Sequence, residues 1–426
     1  MDAVQCWQLW QQASDNNDLR EDAQGKDADP NEPRKGSNLR LCFRFPAVAL
    51  ASIRFAQPGH APVTDLKRTP LHDLSQAANG RMVPFAGWEM AVQFSGLVAE
   101  HTAVRQAVGV FDISHMGVLR FSGPNPKDAL QKLVPTDLHR IGPGQACYTV
   151  LLNETGGILD DLIVYDMGDD TVLAVINAAC ADSDRAWLEQ QLSGSGISIS
   201  DEKEDGVLLA LQGPDAQRVL EGLSGTSLAE LPRFGQRMLP LPALGVDVLV
   251  ARTGYTGEDG FELLLPHDAG RQLWSQLLNA GVTPCGLGAR DSLRLEAAMH
   301  LYGNDMDTTT SPLEAGLGWL VHLENPVDFI GRAALEQEVD QGSQRKLVGL
   351  RLEGRAIPRH DYPILDGEQT VGTVSSGGWS PCLEAGIGLG YVPKALAKVG
   401  TELAVEIRGK RHPATVVKRP FYRRPA

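Results

Sequence analysis

Two adjacent carboxylates, Asp160 and Asp161, open an apolar run in Gly156-Gly157-Ile158-Leu159-Asp160-Asp161-Leu162-Ile163-Val164-Tyr165. Side chains alternate across a strand, so the pair must point to opposite faces, one free to be solvated while the other enters the interior. A carboxylate held in low dielectric has a tunable pKa and can move protons. The competing reading is an Asp pair that caps turn amides where a hairpin begins. A third carboxylate, Glu262, sits in Arg252-Thr253-Gly254-Tyr255-Thr256-Gly257-Glu258-Asp259-Gly260-Phe261-Glu262-Leu263-Leu264-Leu265. The Asp259-Gly260 turn sets the register of the strand after it, so Phe261, Leu263 and Leu265 share one face and leave Glu262 with Leu264 on the other. Such a carboxylate needs a partner. A heterocycle edge with adjacent N–H groups would take it through two parallel hydrogen bonds, and a structural arginine is the alternative. In Gly286-Leu287-Gly288-Ala289-Arg290-Asp291-Ser292-Leu293-Arg294-Leu295-Glu296, Arg290 and Arg294 stand one helical turn apart on one stripe. They could clamp a carboxylate-bearing substrate, or Arg294 could be spent on Asp291 or Glu296. His101 and His115 are isolated, no Cys/His cluster has metal spacing, and no GxGxxG, Walker or GxSxG pattern occurs, so no metal and no nucleotide-phosphate site is expected.

The elements around these residues follow from periodicity. Val98–Val108 reads as a helix ended by Gly109, with Val98, His101, Val104, Arg105 and Val108 at three-to-four spacing. Strands are predicted at 118–122, 146–152 and 158–167, the last two joined by the Asn153-Glu154-Thr155-Gly156-Gly157 hairpin. A strand at 171–177, a helix at 182–192 and a strand at 207–212 continue an α+β texture, with helices expected on one face of the sheets. After Gln344-Arg345-Lys346 only short strands remain, at 347–352, 363–365, 369–375, 385–391 and 403–407, which predicts a small barrel or sandwich. Residues 1–35 lack either period and are expected to be disordered, and Leu39–Phe55 is an apolar, basic stretch within the same extension.

Bulk composition bounds the function. The 426 residues suggest two or three domains. With 53 acidic against 39 basic side chains the formal charge is −14, which argues against binding nucleic acid or anionic membrane through net charge. No stretch approaches about 18 uninterrupted apolar residues, so no spanning helix is expected. The six cysteines are scattered without CxxC pairs, which fits reduced thiols in a cytoplasmic protein. A local reversal occurs after Arg408, where Lys410, Arg411, Lys418, Arg419, Arg423 and Arg424 follow without an acid. Such an edge could attract a polyanionic ligand or an acidic carrier, or simply be a solvated rim.

Beyond these readings, Thr69-Pro70-Leu71, Phe85-Ala86-Gly87-Trp88-Glu89-Met90, Gly109-Val110-Phe111-Asp112-Ile113-Ser114-His115-Met116-Gly117, Tyr302-Gly303-Asn304-Asp305-Met306-Asp307 and the three motifs above occur in one order. Together they resemble the T proteins of the glycine cleavage system, the tetrahydrofolate-dependent aminomethyltransferases, from about Thr69 to Arg423. The resemblance implies a three-domain cloverleaf. Two ferredoxin-like α+β domains, interleaved in sequence, would join a C-terminal β-barrel around a central folate cavity, with 1–63 as the extension, 64–343 as the folate-binding region and 344–426 as the barrel. It implies methylene transfer from an aminomethyl-lipoyl H protein to tetrahydrofolate with release of ammonia, alongside the P and L proteins, without a metal. It also implies site residues: Asp161 as the catalytic carboxylate, Glu262 and Asn177 at the pterin, Tyr148 and Tyr255 as cavity walls, Met116 near the pterin, and Arg290 and Arg423 toward the ligand's carboxylate end. The segment Leu231-Pro232-Arg233-Phe234 departs from the aromatic pair common in relatives, so no aminobenzoyl contact is carried over there. Two other relatives are disfavoured: a formaldehyde-capturing partner of a flavin dehydrogenase lacks its dinucleotide fingerprint, and an iron-sulfur assembly factor lacks its Lys-Gly-Cys-Tyr segment. A catalytically inactive folate-binding or interaction protein of the same fold is the remaining alternative, disfavoured by Asp161.

Overall fold

A computed structural model describes residues 66–424. The expectations for residues 1–63 lie outside the described residues. The fold is α+β, built on two sheets, a small antiparallel hairpin at 81–93 and a closed barrel.

The larger sheet has six strands in the order Gln236–Leu241, Val246–Ala251, Gly260–Leu265, Val207–Gln212, Gly109–Asp112 and Thr283–Cys285. Only the last joins in parallel. Its alternation sorts the chemistry. Leu209, Leu211, Phe261, Leu263 and Leu265 pack against helices Ala216–Ser224 and His267–Asn279 through Leu220, Leu273, Trp274 and Leu277. Leu208, Ala210 and Phe111 use the opposite face, against Ala289 and Leu293 of helix Leu287–Glu296 and Val104 of helix Leu97–Gln106. Helices therefore cover both faces of this sheet rather than one, which is why 207–212 is apolar at nearly every position. Gly109 starts a strand instead of only ending a helix. A Cβ there would lie 2.6 Å from both Cys285 Sγ and Val104 Cγ2, so glycine is what lets helix and strand meet.

The chain leaves the larger sheet after Asp112 and returns at Val207, and these two strands pair with each other. Between them it builds the second sheet, in the order Gln145–Leu152, Ile158–Gly168, Thr171–Ile176, Gly117–Ser122 and Ser198–Asp201, all antiparallel. The hairpin is as expected, with Asn153 N–H donating to Gly157 O at 2.9 Å and Gly156 at φ 81°. One face of this sheet packs on helix Ala181–Gln191 through Leu162, Val164 and Leu188. The other, with Ile163 and Tyr165, turns toward Phe234 and Ala251 of the larger sheet. The two sheets are stitched edge to edge where Ala146 N–H donates to Phe234 O at 2.7 Å and Gln236 N–H to Gly144 O at 2.8 Å.

The C-terminal strands close into a six-stranded barrel because Arg345–Leu352 pairs on one side with Ala385–Pro393 and on the other with Lys410–Val417. Its interior is filled by Val348, Leu350, Ile364, Val374, Val405 and Val416. The closing strand carries Lys410, Arg411 and Pro413, which conceal its alternation, so only Ala414 and Val416 mark it as half-buried.

Candidate functional site

Both sheets and the barrel contribute to the walls of one cavity of about 940 Å³. The smaller sheet presents Tyr148, Asp161, Ile163 and Asn177, the larger presents Thr253, Tyr255 and Glu262, and the barrel presents Val348, Val416 and Arg419.

Strand alternation places Asp161 and Asp160 on opposite faces, as the sequence requires, but neither is bathed in solvent. Asp160 is fully buried, because its face lies under helix Ala181–Gln191. Asp161 lines the cavity, accepting from Tyr148 Oη–H at 3.0 Å and Asn177 Nδ2–H at 2.9 Å. Asn177, just past its strand, also donates Nδ2–H to Asp160 Oδ1 at 2.8 Å and its backbone N–H to Asp160 Oδ2 at 3.1 Å. The turn-capping alternative belongs to another residue: Asn153 Oδ1 accepts from Thr155 N–H and Gly157 N–H. Gly157 itself is pressed against the loop at 307–310, where a Cβ would fall 1.9 Å from Thr308 O. Burial, reinforced by the neighbouring Asp160 charge, pushes the Asp161 carboxyl up to about 7. The same burial raises Tyr148, so it remains a hydrogen-bond donor.

Glu262 faces the cavity from the register expected. Its one hydrogen-bond partner among the described residues is Thr253 Oγ1–H at 2.5 Å, rather than an arginine. Burial raises its pKa, against the pull of that hydroxyl and of Arg290. Glycine lets this wall form: a Cβ on Gly254 would lie 2.0 Å from Gln212 Oε1. Arg252 is consumed by Asp259, at 2.9 Å and 2.6 Å.

The arginine stripe divides. Arg294 is buried and fully engaged by Asp291 at 2.8 Å, Asp305 at 2.7 Å and Ser376 at 2.9 Å, so it holds the helix to the barrel. Arg290 lines the cavity with its guanidinium 4.6 Å from the Tyr255 ring centre. The paired-arginine clamp is therefore not formed. Tyr255 donates its hydroxyl to His300 O. Met116 lines the cavity beside His115. Arg423 is exposed and outside the lining, whereas Arg419 and Arg424 of the same basic run belong to it.

Sequence reasoning missed three features of the wall. Trp319 stacks on Tyr148 with ring centres 6.2 Å apart at 24°, yet is 65% exposed, so it stands at the cavity mouth. Its only local signal is an aromatic in the glycine-containing run Ala315-Gly316-Leu317-Gly318-Trp319. His115, isolated in sequence, is buried against the edge of Phe85 and held neutral, because burial and the Arg290 and Lys203 charges push its pKa down to about 3. Arg233 and Phe234, the segment from which no contact was carried over, also line the cavity. Away from it, the fold brings together three groups of the metal-ligand type that show no spacing in sequence: His101, Glu296 and Cys382 lie within 4.8 Å of one another. Arg105 donates two N–H groups to the same Glu296 oxygen, at 3.1 Å and 3.0 Å, so that carboxylate is already neutralised.

An α+β chain whose two interleaved sheets and closing barrel surround a cavity with unpaired buried carboxylates defines a narrow structural class. Residues 71–325 match the GCVT N-terminal domain, and residues 345–423 match the glycine cleavage T-protein C-terminal barrel domain. The aminomethyltransferase of Prochlorococcus marinus (strain MIT 9303) is 67% identical over 371 residues, covering 85% of this chain and 99% of that relative. That of Synechococcus sp. (strain WH7803) is 66% identical over 368 residues, covering 85% of this chain and all of the relative. The crystal structure of glycine cleavage system aminomethyltransferase T from Bartonella henselae superposes with a TM-score of 0.80 at 37% identity, covering 84% of this chain and 99% of that one. The chain belongs to the glycine cleavage T-protein family of aminomethyltransferases. Among the described residues, no helix is long and apolar enough to cross a membrane.

Proposed function

We propose that this enzyme transfers a one-carbon unit from an aminomethyl group on the lipoyl arm of the H protein to tetrahydrofolate. In the balanced reaction the aminomethyl thioether and two folate N–H groups give 5,10-methylenetetrahydrofolate, ammonia and the free lipoyl thiol, so the carbon keeps its oxidation level. The observation that carries this reading is that Asp161 and Glu262 open on one cavity and are paired with hydroxyl or amide donors, not with cations.

The residues fit the proposed co-substrate. Glu262, anchored by Thr253, can accept two parallel N–H bonds from a pterin amine edge. Ile163, Val175, Phe234 and Met116 supply apolar walls for a flat ring. Arg290 and Arg419 offer guanidiniums to a glutamate carboxylate, and Arg423, exposed outside that lining, is proposed for a longer polyanionic tail. Asp161, poised near neutrality, can accept a proton from the folate amine and return one to departing ammonia. Asn177 and Tyr148 hold that carboxylate in place, and the same contacts limit what Asn177 can offer the pterin. The P and L proteins would complete the system, and the described cysteines Cys147, Cys180, Cys285 and Cys382, all free thiols, are in keeping with a cytoplasmic setting.

The test is tetrahydrofolate-dependent ammonia release from aminomethyl-lipoyl H protein by the full chain. Activity that collapses in Asp161→Asn while folate still binds supports the reading. Folate binding without ammonia release by the wild type would replace it with a binding protein that has lost catalysis.

A further inference from the structure

Behind Asp161 the fold buries two more carboxyl groups with no cation in contact. Asp160 accepts from the backbone and side-chain amides of Asn177. Asp184, in the first turn of helix Ala181–Gln191, is 3% exposed and hydrogen-bonds Asp160, and its Oδ2 has no partner. The groups that face Asp161 are Asp160 on its own strand, Tyr148 on the neighbouring strand, Asn177, Cys180 and Asp184 at the start of the helix, and Tyr255 and Arg290 across the cavity. Arg290 is the one cation in that set, and its guanidinium lies over the Tyr255 ring without a hydrogen bond to Asp161. Three buried carboxylates this close cannot all ionise, so the cluster must keep a proton.

We infer that Asp184 and Asp160 are positioning residues for the reaction: Asp184 keeps a proton and donates it to Asp160, which stays ionised behind Asp161 and holds it ready for proton exchange. Asp161 takes one proton from the cavity and returns one in each turnover, while Asp184 retains its own. The directions of titration agree. Burial and the hydrogen bond to Asp160 raise Asp184, and the same bond opposes the burial-driven rise of Asp160. This inference rests on Asp161 being the proton-transfer group of the proposed reaction.

The experiment follows the Asp161 carboxyl by carbon-13 NMR across pH in the ligand-free full chain, assigned through Asp161→Asn, beside the pH profile of kcat. In Asp184→Ala the donor is lost, Asp160 takes up the proton itself, and its charge no longer opposes ionisation of Asp161. The Asp161 midpoint and the acid limb of kcat are then expected about one pH unit lower. Asp160→Asn is expected to move them the same way, whereas Asp184→Asn, which keeps a neutral donor, is expected to retain the wild-type midpoint. Tetrahydrofolate binding reports that each variant is folded, and if Asp160→Asn fails to fold the two Asp184 variants decide. An unmoved midpoint in Asp184→Ala, or an equal shift in Asp184→Asn, overturns the inference. A wild type whose Asp161 titrates near neutrality but which releases no ammonia overturns the proposed reaction instead.

Discussion

Two regions of this molecule withdraw carboxylates from bulk solvent and treat them in opposite ways. Beneath the barrel, Glu296 meets Arg105 and His101, and Asp305 meets Arg294. Hydrogen bonds from His101 and Ser380, with the Arg105 charge, hold the Glu296 carboxyl down at about 2 despite burial, and the Arg294 charge lowers Asp305. Around the cavity, Asp160, Asp161, Asp184 and Glu262 have amides, hydroxyls and one another, and all four are raised. A paired carboxylate stays ionised through the working pH range and fastens domains. An unpaired one keeps its proton to higher pH or reserves its oxygens for a ligand, which is the condition for chemistry.

The contrast can be broken from either side. Asp161→Asn should have the largest effect, lowering kcat for ammonia release by about 10²–10⁴-fold with folate affinity changed only slightly. A comparable loss of folate binding would turn Asp161 into a binding group. On the paired side, Arg105→Ala should leave Glu296 buried without its guanidinium partner and destabilise the fold by about 3–5 kcal/mol, read from urea denaturation. Undiminished stability would mean that the latch is ornamental. Glu262→Ala should weaken tetrahydrofolate binding by about 10–100-fold in calorimetric titration, with a smaller effect on kcat at saturation.

The smallest effect is the most specific. Glu296 contributes stability that is fully present above its unfolded value near 4.5 and is lost as pH falls toward 2. Asp161 has the opposite sign: its folded pKa of about 7 exceeds 3.8, so its contribution is present below 3.8 and is lost as pH rises through 7. Asp161→Asn should therefore gain on the wild type by about 1 kcal/mol or more between pH 5 and pH 8 in urea midpoints. A pH-independent difference would remove the raised carboxyl from the account.

Much of this arrangement is legible in the chain. Period-two alternation separates Glu262 from Phe261 and Leu263, and Asp160 from Asp161, because a strand leaves no other choice. The Asn153–Gly157 hairpin and most barrel strands follow from turn residues and β-branched runs. Alternation could not say what covers the second face. It leaves one of the two aspartates free to be solvated, yet helix Ala181–Gln191 seals Asp160. Helix spacing put Arg290 and Arg294 on one stripe, but Asp305 and Ser376, far along the chain, capture one of them. The basic run after Arg408 contained cavity-lining arginines, and which ones line it depends on how the last strand closes the barrel.

By itself the sequence determined the fold class, the family and the faces on which the key carboxylates lie, since these depend on local period and on long ordered motifs. Tertiary structure alone decided which charges meet. Ion pairs here join residues as far apart as Asp73 and Arg271, 198 positions, and Arg105 and Glu296, 191 positions, and no local pattern encodes such contacts. Whether a buried carboxylate becomes a fastener or a reactive group depends on that meeting, because a cation within hydrogen-bond distance offsets the desolvation that would otherwise raise its pKa.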